Sequence, residues 1–239
     1  MNTQNKRKKG FTLIELLVVI TIIGILAGIA FVSFGDVFGT AGRTTAQKNL
    51  TTVYDTLAAN NQLRFPFQDD VKSVADFAVW FRNKTNDTRT EIWFISEDEK
   101  VKNLSENDGP GVPANIPEES GDMDAKQKAA LGYCIAIPGQ NAETASYVKN
   151  LKSGAFPIMW TRGLEPGSST WSADSPWGGE GGHVLFSDKT VRWFDNTKGE
   201  DENGVFLSAV NKSDGDKKAT ATHDIQAALP KGWVILKPQ

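Results

Sequence analysis

At 239 residues, with 39% hydrophobic side chains, the chain can bury one sizeable core and requires no second large domain. Four of its 26 Lys and Arg, namely Lys6, Arg7, Lys8 and Lys9, stand in the first ten residues, so the remaining 22 face 29 Asp and Glu. That balance leaves no clustered cationic footprint for nucleic acid on the folded part. The single cysteine, Cys134, excludes an intramolecular disulfide, and with His183 and His223 as the two histidines a zinc site lacks ligands.

The first predicted element lies in "KRKKGFTLIELLVVITIIGILAGIAFVSF". Residues 16–34 carry neither charge nor proline, and at about 1.5 Å per residue they span roughly 28 Å, close to the hydrocarbon thickness of a bilayer. This predicts a membrane helix. Cations before it and a mildly acidic sequence after it place the N-terminus in the cytoplasm and the rest outside. Glu15 sits at the edge of this span, although a carboxylate at a helix centre costs about 2.5 to 3.5 kcal/mol and somewhat less nearer the interface. A cleaved signal peptide, with Gly28, Ile29 and Ala30 as a small-x-small site, normally has a shorter apolar region and no acid. A plain uncleaved anchor accounts for length and cations and leaves Glu15 unexplained.

The run "KKGFTLIELLVVITIIGILAGIA" resembles the N-terminus of type IV pilins and of the pseudopilins of type II secretion. The resemblance covers about the first 55 residues. It implies a basic leader, Lys6 to Lys9, that ends at Gly10, cleavage between Gly10 and Phe11 by a membrane-embedded prepilin peptidase, and N-methylation of Phe11. It also gives Glu15, the fifth mature residue, a role in assembly. In a filament core, pairing with a neighbouring subunit's Phe11 ammonium compensates a carboxylate that would otherwise be costly to bury. Gly10 adds no bulk beside the scissile bond, and Gly24 with Gly28 forms a small-xxx-small pair that permits close helix approach.

Past the apolar run, Ala46, Leu50, Val53 and Leu57 recur at helical spacing on one face. The same helix is therefore expected to continue to about Arg64, ahead of Pro66, with Asn60 and Asn61 as stop signals. Gly35, Gly39 and Gly42 weaken it locally by about 1 kcal/mol each. The stretch "VKSVADFAVWFRNK" has Val71, Val74, Phe77, Ala78 and Phe81 on one face and predicts a packing helix. Short β-rich runs follow: "TEIWFIS", "YCIAIP", "FPIMWT", "HVLFS", "TVRWFD" and "WVILK". Residues 98–119, rich in Gly and Pro, read as a surface loop, and helices are expected over 124–130 and 142–151. The fold class is α+β, a long N-terminal helix packed on an antiparallel sheet, which agrees with the pilin fold. The expected organisation is a cytoplasmic leader 1–10, a transmembrane half-helix 11–34, an amphipathic half-helix 35–64 and a periplasmic globular domain 65–239.

The segment "DSPWGGEGGHVLFSDKTVRWF" is similar to the C-terminal hairpin of a group of pilin-like proteins of planctomycete and verrucomicrobial bacteria. That group commonly has a histidine ten residues before an Asp-Gly turn. Here Gly178 and Lys189 stand at those positions, and His183 lies elsewhere in the segment. Lys189 at a tip that wants positive φ points to a type I turn with a bulge. His183 reads as a strand-start residue, and Trp160, Trp171, Trp177 and Trp193 read chiefly as packing.

No GxSxG, HExxH, P-loop or CxxC signature is present, which points away from an enzyme. No cofactor is expected. The acidic stretches 195–204 and 211–218 are the candidates for a structural calcium ion, which the pseudopilin resemblance favours, although neither has EF-hand spacing. The resemblance implies prepilin peptidase, other pilin or pseudopilin subunits and an inner-membrane assembly platform as partners. A pseudopilin of a type II secretion-like system, a surface or competence pilin, and a membrane-tethered binding module with a pilin leader remain as functional readings.

Overall fold

The structure is a computed structural model and describes residues 13–60, 71–106, 108–139, 155–210, 215 and 217–239, with α1 side chains described at 13–25 and from Gly42 onward. Helix α1 runs Leu13–Ala59. The chain divides into two compact units, Met1–Ala41 and Gly42–Gln239.

In the first unit, the large apolar side chains described in α1 are exposed around the helix, from Leu13 at 86% to Val19 at 46%, with Glu15 and Thr21 among them. In the second unit the same helix is amphipathic. Ala46, Leu50, Val53 and Leu57, the predicted stripe, are all buried in the core. The expected continuation to Arg64 falls partly outside the described residues.

Helix α2, Val74–Thr85, forms where its periodicity predicts. Ser73 caps it by accepting the Asp76 N–H at 3.1 Å, and the Asp76 carboxylate reaches back to the Lys72 N–H at 3.1 Å. Asn86 ends it in the left-handed region, φ 58°, donating its N–H to Arg82. Helix α3, Glu99–Lys102, and a 3-10 turn at Asn103–Ser105 fall inside the stretch read as a loop. Helix α4, Ala125–Ala129, begins with a capping box between Asp124 and Gln127, as the 124–130 expectation requires. The helix expected over 142–151 lies outside the described residues.

Five strands form one antiparallel sheet: β1 Tyr133–Pro138, β2 Pro157–Thr161, β3 Gly182–Phe186, β4 Val191–Phe194 and, last in the chain, β7 Trp233–Leu236. Their order is β4-β3-β2-β1-β7. Strands β1, β2 and β3 are buried along their whole length, so both faces of the sheet centre are covered, and they read as continuous apolar runs instead of alternating ones. A second, two-stranded ladder pairs β5, Phe206–Leu207, with β6, Ala221–Thr222; the sequence reading did not anticipate it.

One expected strand is corrected. "TEIWFIS" is turn and bend, with the Trp93 and Phe94 N–H groups both donating to the Thr90 carbonyl. Ile92, Trp93, Phe94 and Ile95 are buried nonetheless. Trp93 packs edge-on against Phe81 and Phe77 of α2, at ring distances of 5.4 and 6.0 Å. A short apolar run signals burial, and local turns satisfied its backbone before a ladder did.

Candidate functional site

The residues that the sequence marks for processing, Lys6, Arg7, Lys8, Lys9, Gly10 and Phe11, lie outside the described residues. Glu15 is described: it stands in the first turn of α1 and is exposed. An acid there is favourably placed for the helix dipole. Around it Leu13, Ile14, Leu16, Leu17, Val18 and Val19 expose large apolar surfaces. Such a surface, apolar all round with one carboxylate, is suited to lipid or to other apolar helices. Among the described residues, no helix is long and apolar enough to cross a membrane.

The second unit is tied together by polar contacts of long sequence separation. Arg162, at the end of β2, is buried and pairs with buried Asp98 at 2.8 Å. Its remaining donors go to the carbonyls of Asp174 at 2.9 Å, Leu131 at 3.1 Å and Ala129 at 3.3 Å. One guanidinium thereby joins the cap of α3, the end of α4 and the loop before β3. Burial pushes the Asp98 carboxyl above the ordinary carboxylate value, against the pull of Arg162. Beside this pair opens a cavity of about 480 Å³ lined by residues of both signs, among them Glu97, Glu99, Lys100, Lys102 and Asp174. A Cβ on Gly42 would meet the Glu97 side chain, which would have to turn aside.

The hairpin of β3 and β4 turns as Lys189 led one to expect. Phe186 donates to the Thr190 carbonyl at 2.8 Å and accepts from the Lys189 N–H at 3.0 Å, while Lys189 holds φ 72° as the left-handed bulge residue. That conformation costs a lysine on the order of 1 kcal/mol, and an ion pair of its ammonium with Asp55 of α1 at 2.8 Å offsets part of it.

Cys134 is buried, and burial pushes its thiol up to about 12, so it is an inert core thiol. His183 is buried at the start of β3 and its pKa is lowered to about 4 by burial and by the Arg43 charge. Among the described residues no group of three or more His, Cys, Asp or Glu is placed to hold a metal ion. In the first calcium candidate, Asp195 accepts the Trp193 indole N–H, and Asn196 caps the turn by accepting the Lys198 and Gly199 N–H groups. Residues 211–214 and 216 of the second candidate lie outside the described residues. Trp160, Trp171 and Trp177 are buried, in line with a packing role. Sequence reading missed Arg43, Tyr54, Asp55, Asp98 and Arg162, whose partners are distant in sequence and leave no local pattern.

A long N-terminal helix with Glu15 in its first turn, packed on an antiparallel sheet, is consistent with a pilin-like fold. Residues 5–31 match the family described as "Prokaryotic N-terminal methylation motif". The match indicates a type IV pilin-like precursor of the kind that prepilin peptidase processes and that assembles with pilin subunits. It covers the N-terminal segment and leaves the globular unit without a counterpart. No curated protein and no solved structure matches the chain.

Proposed function

We propose that the protein is a non-enzymatic filament subunit, a pseudopilin of a type II secretion-like system. It is inserted with its N-terminus in the cytoplasm and its C-terminal domain in the periplasm, trimmed after Gly10, methylated on Phe11, and assembled through α1 on an inner-membrane platform to support protein export. The observation that carries this is the methylation motif at residues 5–31, in which Glu15 falls five positions after Gly10. The uncharged run over 16–34 supports a membrane-inserted precursor. The exposed apolar surface of Leu13, Ile14, Leu16 and Leu17 supports assembly through the helix. The preference for secretion over a surface pilus rests on the lack of a disulfide-closed C-terminal loop, since Cys134 is the single cysteine, and on the hairpin resemblance.

The test is deletion of this one gene, with released proteins quantified by mass spectrometry and the cell surface imaged for filaments. Loss of a defined set of released proteins with surface filaments intact is the expected result. Unchanged release with loss of filaments, twitching or DNA uptake moves the protein to the surface or competence pilins. No change in either, with function retained in cells lacking other pilin subunits, makes it a membrane-tethered binding module.

A further inference from the structure

The hairpin of β3 and β4 is clasped to the Gly42 to Ala59 stretch of α1 at two points. At its tip, the Tyr54 hydroxyl donates to the Ser187 carbonyl at 3.2 Å and Asp55 pairs with Lys189 at 2.8 Å. At its base, Arg43 pairs with Glu180 and lies over the Trp193 ring, 4.2 Å from its centroid. The base clasp is therefore part ion pair and part cation–π contact, and both need the Arg43 guanidinium in one place.

Directly behind Trp193 is its cross-strand partner His183. The imidazole is 3% exposed and meets Trp193 edge-on at 4.9 Å and Trp177 at 5.7 Å, while the two indoles meet each other at 5.2 Å. Among the described residues, neither His183 Nδ1 nor Trp177 Nε1 has a hydrogen-bond partner. Charged groups around this box are Arg43 from α1, Glu180 from the loop before β3, and Asp195 after β4, whose carboxylate accepts the Trp193 indole N–H. From β2 comes neutral Thr161, whose hydroxyl accepts the main-chain N–H of His183 at 3.0 Å.

We infer that the base clasp is a proton-operated switch: a proton taken from solvent by His183 places a second cation against the Trp193 ring, and Arg43 leaves it. The imidazole ring lies 4.9 Å from the Trp193 ring, and the Arg43 guanidinium lies 4.2 Å from the same ring. Two cations on one ring repel each other. Arg43 is the one that yields, because its side chain is 35% exposed and can be rehydrated, whereas His183 has no such exit. Glu180, 67% exposed, loses its partner to water at little cost. The tip clasp contains no group of this box, so the hairpin opens from its base.

The experiment follows the Arg43 side-chain Nε–H of the full chain in detergent micelles by NMR, together with tryptophan fluorescence, from pH 7 to 3.5. Expected is an Arg43 signal displaced by the Trp193 ring at pH 7 that moves to its solvent position in one transition with a midpoint near 4. That transition is lost in His183→Phe, kept in Glu180→Gln, and moved to higher pH in the fluorescence of Arg43→Gln, where the like charge is gone. An Arg43 signal that stays ring-shifted below the transition overturns the switch. So does an Arg43→Gln midpoint equal to the wild type's, or a transition that survives in His183→Phe and disappears in Glu180→Gln.

Discussion

Two stretches of one helix make opposite use of apolar side chains. At Leu13 to Ile25 they point in all directions and remain exposed, while from Gly42 to Ala59 they form a stripe that the chain's own core covers. The second stretch has its partner built in, and its residues contribute to folding. The first keeps its large apolar side chains exposed, a surface suited to lipid or to other apolar helices. A helix that is amphipathic serves its own domain; one that is apolar all round serves lipid or neighbouring subunits.

Removing the carboxylate separates the two roles most strongly. In the proposed filament Glu15 pairs with a neighbour's Phe11 ammonium, and as breaking a buried pair costs on the order of 3 to 5 kcal/mol, Glu15→Ala should reduce filament incorporation by more than tenfold. The melting temperature of the globular unit should stay unchanged, as exposed positions rarely move stability by more than about 0.5 kcal/mol. Next comes the central polar tie. Arg162→Met leaves Asp98 buried without its cation and should lower the unfolding free energy of the globular unit by about 3 to 5 kcal/mol, measured by urea denaturation.

A matched pair of truncations then probes the helix itself. Leu50, fully buried, should cost about 2 to 5 kcal/mol on replacement by alanine. Leu17→Ala, at a position 57% exposed, should leave denaturation of the globular unit within about 0.5 kcal/mol of wild type. Equal effects would break the comparison.

A pH dependence completes the set. His183 folds in its neutral form, its pKa lowered from 6.5 to about 4. The stability this contributes is full above the unfolded-chain value and is lost as pH falls through the folded value. A depression of that size corresponds to on the order of 3 kcal/mol. His183→Phe should flatten the stability profile between about pH 6.5 and 4, measured by chemical denaturation at a series of pH values.

What was legible in the sequence follows the range of the interactions. The Ala46, Leu50, Val53 and Leu57 stripe and the face of α2 repeat every three or four residues, and their burial could be read directly. The bulged turn was expected from the cost of a lysine at a tip that wants positive φ, yet Lys189 itself takes φ 72° in the structure. "TEIWFIS" misled because burial on all sides looks alike in a strand and in a wrapped turn. Asp98 with Arg162, and Arg43 with Trp193, are joined only by the tertiary fold, and nothing near them in sequence announces a partner. The N-terminal motif was legible for the opposite reason: it is a contiguous pattern of charge, glycine and acid, recognised before folding.

In the proposed function the first unit belongs to a processed, assembling precursor. The most direct measurement is mass spectrometry of the N-terminal peptide of the protein isolated from its native membrane fraction. The expected result is a chain that begins at N-methylated Phe11 and retains residues 16–34. A chain cut after Ala30, or one that still carries Lys6 to Gly10, would contradict it.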